Sequence, residues 1–132
     1  LIMLNLKKEL GTLNMPWEKE YGYAQAVKNG DTLWISGQLG HDKEGNLAVG
    51  MESQFEKTYE NIQILLDNFG MNADDIVEEV IYVTDMASAF QARKKMGTAF
   101  YPDPQRVASS IVEVTGLALP GQMVEIKIVA KN

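Results

Sequence analysis

The chain has no cysteine in its 132 residues. Disulfides, thiol nucleophiles and thiolate metal sites are therefore excluded, and the absence fits a cytosolic protein. Histidine occurs once, at His41, with no second histidine at ligand spacing. That gives no basis for a metal site, and His41 is expected to be a solvated loop residue. No apolar run approaches the ~20 residues that a membrane helix needs. Leu1–Leu6 is too short for the apolar core of a signal peptide, and Met3 reads as the natural start, with Leu1 and Ile2 additions before it. Positive charge is scarce: 12 basic against 18 acidic side chains leave a net charge of −6. Nucleic-acid binding rests on basic surface, so this balance argues against it; ordinary solubility accounts for the charge. No glycine-rich phosphate loop follows a strand, and neither Ser36 nor the Ser109-Ser110 pair comes with a base that would make it a nucleophile. No repeat or low-complexity segment is present.

What is present suffices for a core. The hydrophobic content is 45%, which places the chain among globular domains, and the length fits one domain over residues 1–132. Lys7–Glu20, with Pro16, reads as a loop. Tyr21–Lys28 and Asp31–Ser36 are β-type runs joined by Asn29-Gly30, a pair that tolerates the positive φ of a hairpin turn. His41–Gly50 is polar, with a turn at Gly45-Asn46. From Met51 to Phe69 the apolar residues Met51, Phe55, Tyr59, Ile62, Leu66 and Phe69 recur three or four apart, which predicts a helix with one buried stripe. Gly70 sits where such a helix ends. Ile76–Thr84 is rich in β-branched residues and predicts an internal strand. Asp85 is placed to cap a second helix running to about Tyr101, with Phe90, Arg93, Gly97 and Phe100 sharing a spacing. Tyr101-Pro102-Asp103-Pro104 ends it.

Two further strands, Ser109–Thr115 and Gln122–Ala130, flank a loop holding Gly116, Pro120 and Gly121. Neither run is cleanly polar on one side, which fits a sheet covered on both faces. Helices can cover one face, and another subunit is a natural cover for the second. The order ββ–α–β–α–ββ predicts an α+β fold, two helices on one face of a mixed sheet. Glu125, between Val124 and Ile126, is then a carboxylate near a subunit boundary. Burial can tune such a group for proton transfer. From the residues alone, a strand glutamate that pairs with a cation or faces solvent is the more ordinary reading.

Several segments resemble the Rid family, also called YjgF/YER057c/UK114 or reactive intermediate deaminases. Ala108-Ser109-Ser110-Ile111-Val112-Glu113-Val114 followed by Val124-Glu125-Ile126 is similar to its C-terminal signature. Tyr21-Gly22-Tyr23-Ala24-Gln25-Ala26 is similar to its Pro-Tyr-Ser-Gln-Ala segment, with Gly22 in place of proline. Ser36-Gly37-Gln38 and Asp85-Met86 match two shorter motifs. The resemblance spans roughly Tyr21 to Ala130. It implies a chorismate-mutase-like fold, a homotrimer with a small-molecule cleft at each subunit boundary, and no cofactor. It further implies hydrolysis of enamines or imines, released by pyridoxal-phosphate enzymes, to 2-oxo acids and ammonia. On that pattern Glu125 activates water, and Tyr23, Ser36, Gly37 and Ser109 shape the cleft.

The departure is at Ser109, where the family carries an arginine that grips the substrate carboxylate. A guanidinium binds carboxylate as a planar fork; a serine offers one hydroxyl. A charge-assisted hydrogen bond contributes ~1.5–3 kcal/mol, so efficient deamination of small 2-imino acids is not expected, and restoring arginine at 109 is expected to raise it. Arg106 is a candidate replacement three residues upstream, with a solvated surface role as the alternative. The family's cleft asparagine falls at Lys94, or at Arg93 with a shift of one, and is not carried over. Two readings stay open: a deaminase with altered substrate range, and a trimer that binds a metabolite without turnover. Some relatives are linked to RNA cleavage and translation inhibition, which the acidic charge opposes here.

Overall fold

The computed structural model describes residues 7–132; the reading of Leu1, Ile2 and Met3 lies outside the described residues. In chain order the elements are β1 (Glu9–Gly11), β2 (Ala26–Asn29), β3 (Thr32–Gln38), α1 (Met51–Asp67), β4 (Ile76–Val83), α2 (Met86–Phe100), β5 (Ala108–Glu113) and β6 (Val124–Lys131). The strands form one mixed sheet in the order β1-β2-β3-β6-β4-β5. Every neighbouring pair is antiparallel except β4 and β5. Those two are joined through α2, because parallel neighbours need a crossover rather than a tight turn.

Pleating decides which face is the core. In β6 the side chains of Val124, Ile126, Ile128 and Ala130 are wholly buried. They lie in register with Ile81 and Val83 of β4 and with Leu33 and Ile35 of β3, all fully buried as well. Above them α1 contributes Phe55, Tyr59, Ile62, Leu65 and Leu66. Burying each of these large side chains stabilises by ~1.5–3 kcal/mol. The opposite face carries Trp34 in register with Val129, and Glu125, Tyr82 and Val112 in register with one another. Trp34 and Val112 are left 43% and 44% exposed there, so that face lacks a helical cover.

The fold agrees with the expected two helices on a mixed sheet and differs in detail at the N-terminal side. The segment expected to be a loop contains β1, paired with β2 through Glu9↔Lys28 and Gly11↔Ala26. The strand expected from Tyr21 starts only at Ala26, because Glu18–Gly22 winds into a π-helical turn. Its organiser is the Glu18 carboxylate, which accepts bonds from the Leu13 and Met15 N–H groups, the Thr12 hydroxyl and the Gln25 amide. Gly22 has φ 91°, beyond the reach of the proline usual in the family. In α2 the buried residues are Ala89, Ala92 and Gly97, whereas Phe90 is 59% exposed. No helix among the described residues is long and apolar enough to cross a membrane.

Candidate functional site

The hairpin β2–β3 and strand β6 build the site. Between Ile35 and Gln38 the β3–β6 register slips, and such a bulge re-aims side chains next to a site. The bulge residues are Ser36 and Gly37. The Ser36 hydroxyl donates to the Ala24 carbonyl at 2.7 Å, and the Gln38 amide ties Gln25 Oε1 at 2.8 Å to the Ser36 carbonyl at 2.9 Å. Gly37 leaves room for Glu125: a β-carbon there would sit 2.7 Å from Glu125 Cγ and closer still to its carboxylate, so the Glu125 side chain would have to move.

A cavity of about 440 Å³ opens over this point, lined by Trp17, Tyr21, Tyr23, Ser36, Gly37, Leu39, Ala118, Leu119 and Glu125. That volume lies in the range of small-molecule sites. Four of the residues singled out from sequence, Tyr23, Ser36, Gly37 and Glu125, thus meet at one cavity. Glu125 is half-buried, and among the described residues no donor or cation is bonded to its carboxylate. Tyr23 stacks edge-on against Tyr21 with ring centroids 5.8 Å apart. Burial, then the negative charge of Glu18 and that of Glu125, hold the Tyr23 phenol above its usual range, so it remains a neutral hydrogen-bond donor. A larger, more open hollow of about 600 Å³ lies over the helices and is lined by Glu52, Gln91, Ala92, Lys94, Lys95 and Thr98. It holds the exposed Lys95–Glu52 pair at 2.5 Å and none of the converging motif residues. Lys94 therefore lines the helix-side hollow, not the Glu125 cavity.

Ser109 belongs to a different cluster, one that sequence reading missed. Glu79 of β4 is 0% exposed. Its Oε1 accepts from the Tyr59 hydroxyl at 2.9 Å and the Tyr101 hydroxyl at 2.7 Å; its Oε2 accepts from Arg93 Nε at 2.6 Å and the Ser109 hydroxyl at 2.6 Å. A carboxylate offers about four such acceptor positions, so this one is saturated. Its charge is tolerable in the interior because Arg93 matches it. Burial and the Glu79 charge hold both phenols far above their usual range. Arg93 lies against the Tyr101 ring, 5.5 Å from its centroid, and packs so close to Gly97 that a β-carbon there would overlap the guanidinium. Glu79 is in register with Ser109 and Ile128, whereas Tyr82 is in register with Glu125. Residues 79 and 82 are an odd number apart on one strand, so Ser109 and Glu125 lie on opposite faces of the sheet within one chain. The one available signal for Glu79 was an acid breaking an apolar strand at an inward position.

The remaining candidates are accounted for. Arg106 is exposed and is engaged by Asp74, at 3.0 Å from Nε and 3.4 Å from Nη2. His41 is not a solvated residue: it is only 3% exposed. The loop is pinned to α1 because Asn61 donates to the Leu39 and His41 carbonyls, each at 3.0 Å. Its Nδ1 lies 2.8 Å from the Asp42 carbonyl. A carbonyl only accepts, so Nδ1 carries the proton in this assignment. Its ring packs edge-on against Trp17 at 4.9 Å, so His41 backs one wall of the cavity.

Comparison with known proteins agrees with this fold. Residues 15–132 match the family model described as Endoribonuclease L-PSP, and the chain belongs to that family, which is the YjgF/YER057c/UK114 or Rid family. Among curated relatives it is 34% identical to a RutC family protein of Saccharolobus solfataricus over 114 residues, covering 83% of this chain and 86% of the relative. It is 29% identical to RutC family protein YjgH of Escherichia coli over 112 residues, 85% of this chain and 84% of the relative. Among solved structures, RidA of Psychrobacter superposes with a TM-score of 0.84 at 31% identity, covering 96% of this chain and all (100%) of that one. A YjgF/YER057c/UK114 family member of Mycobacterium tuberculosis gives a TM-score of 0.85 at 26% identity with coverage of 96% and 100%. The fold is that of the family.

Proposed function

We propose that this protein is a cofactor-free hydrolase of imines or enamines that acts as a homotrimer, with Glu125 as the base that activates water. The observation that supports this reading is the convergence of Tyr23, Ser36, Gly37 and Glu125, drawn from separate segments, on one cavity of about 440 Å³. Glu125, free of any ion pair among the described residues, takes a proton from water as the oxygen attacks the C=N carbon. The C=N π electrons move to nitrogen, which takes that proton from Glu125, giving a carbinolamine. Loss of ammonia from that intermediate leaves a carbonyl product. Tyr23 and Ser36 orient the substrate, and Gly37 leaves room for the Glu125 carboxylate. Ser109 contributes by what it lacks: no guanidinium extends from β5, and its hydroxyl is committed to Glu79.

That last observation favours a second reading, a trimer that binds a metabolite without turnover. One assay separates them. Purified wild type and Glu125→Gln are added to a panel of freshly generated imines and ammonia release is followed. The expected result is release above the buffer rate for at least one imine, reduced to background by Glu125→Gln. Equal rates above the buffer rate for the two proteins exclude Glu125 as the base, and release at the buffer rate by both on every imine leaves the binding reading.

A further inference from the structure

We infer that the Glu125 cavity selects a cationic nitrogen compound with an apolar body, an ammonium or iminium lacking a carboxylate, rather than an anionic amino-acid-derived imine. This rests on the reading above that the cavity is a ligand site, and it names the ligand class.

The first support is the arginine inventory. The chain has two arginines, Arg93 and Arg106, so every copy in a homo-oligomer brings the same two. Among the described residues Arg93 is the sole charge partner of the fully buried Glu79, bonded at 2.6 Å. Recruiting it to a ligand would strip a buried carboxylate of its counter-charge, the costliest kind of ion-pair rupture. Arg106 presents its guanidinium to Asp74 through Nε and Nη2. Arg93 is thus withheld from a bidentate grip on a substrate carboxylate, and Arg106 is turned to Asp74 in an exposed surface pair and does not line the cavity.

The second support is independent and comes from the lining itself. Among the described residues none that lines the cavity is a lysine or arginine, and the one carboxylate there is Glu125. Lys127, the next residue on the same face of β6, neither lines the cavity nor pairs with Glu125. Trp17, Tyr21 and Tyr23 bring three aromatic rings to the wall, with Leu39 and Leu119 beside them. Aromatic faces attract cations through the ring quadrupole, and aromatic cages are a recurring device for ammonium ligands. An anion entering the same space would meet the Glu125 charge with no counter-ion among the described residues that line it in one chain. Hydrolysis suits such a ligand: an iminium carbon is electrophilic without further activation, water adds its oxygen there, the proton leaves to Glu125, and a neutral carbonyl compound and ammonia depart.

The experiment uses two probes of one size and opposite charge, benzylammonium and benzoate, titrated into the intact wild-type protein. The readout is the indole N–H resonance of Trp17 in the nuclear magnetic resonance spectrum, told from that of Trp34 by a Trp34→Phe variant. Benzylammonium is expected to shift the Trp17 resonance saturably and at least tenfold more tightly than benzoate. In Glu125→Gln that preference is expected to shrink by most of the tenfold. Benzoate binding as tightly as benzylammonium at Trp17 overturns the ligand class while leaving the cavity a ligand site. No shift of Trp17 by either probe overturns both this inference and the site reading beneath it. The wild-type comparison stands by itself, so the outcome does not depend on the variant folding.

Discussion

Glu79 and Glu125 sit on neighbouring strands of one sheet and face opposite ways. Glu79 points under the helices, where four donors, one of them the Arg93 guanidinium, hold it. With its acceptor positions all taken, Glu79 fixes structure, while the unpaired Glu125 is available for chemistry. Glu79→Ala leaves Arg93 and two phenols without their partner, which is expected to cost ~3–5 kcal/mol and lower Tm by about 10 °C. A calorimetric shift under about 2 °C would show that the cluster is not structural. Ser109→Arg places a second guanidinium beside the one carboxylate that already has a match, leaving a surplus cation at β5. The expected result is a gain in ammonia release from 2-iminopropionate relative to wild type; an unchanged rate would remove position 109 from the account of carboxylate specificity. Glu125 was legible in the sequence because its triplet and flanking pattern are local. Glu79 was not, because what makes a buried acid tolerable is supplied by Tyr59, Arg93 and Tyr101, 20, 14 and 22 residues away.

At the scale of elements, periodicity and caps carried the reading where they are local. The α1 stripe, the Asp85 cap that accepts from the Ser88 N–H at 3.1 Å, and the Asn29-Gly30 hairpin with Asn29 in register with Thr32 all follow from residues within a turn of each other. The N-terminal segment did not, because one side chain organises it. Burial by itself raises the Glu18 carboxyl, but the bonds from Thr12, Met15, Gln25 and Leu13 outweigh this and lower it below its usual range. A group whose folded pKa is depressed contributes its stability above its unfolded pKa. That contribution is full above about pH 4.5 and is lost as pH falls through the lower folded value. The segment next to Glu18 carries Trp17, so acidification should loosen the aromatic wall. Glu18→Gln is expected to broaden the Trp17 indole resonance at pH 7 as wild type does only in acid. A variant spectrum at pH 7 indistinguishable from wild type would mean that the turn holds without the charge.

For the whole molecule, the helix-free face of the sheet and the family both point to assembly. Trp34 and Val112 are 43% and 44% exposed on that face, and light scattering in dilute buffer is expected to give three chains per particle. A stable folded monomer would leave the cavity walled by one chain only. The family model's description as an endoribonuclease meets a net charge of −6 per chain, which repels a phosphate backbone, so small molecules suit the cavity better than RNA. The fold was legible as a whole because the order of elements and several short motifs agree, whereas the commitment of both arginines could be seen only with their partners in place. The most direct test of the cavity as the working site is Gly37→Ala, which puts a methyl group where the Glu125 carboxylate lies. Measured on the best imine of the panel, with trimer content and Tm compared in parallel, ammonia release is expected to fall at least tenfold while the trimer persists. Wild-type rates in a folded Gly37→Ala trimer would contradict the account.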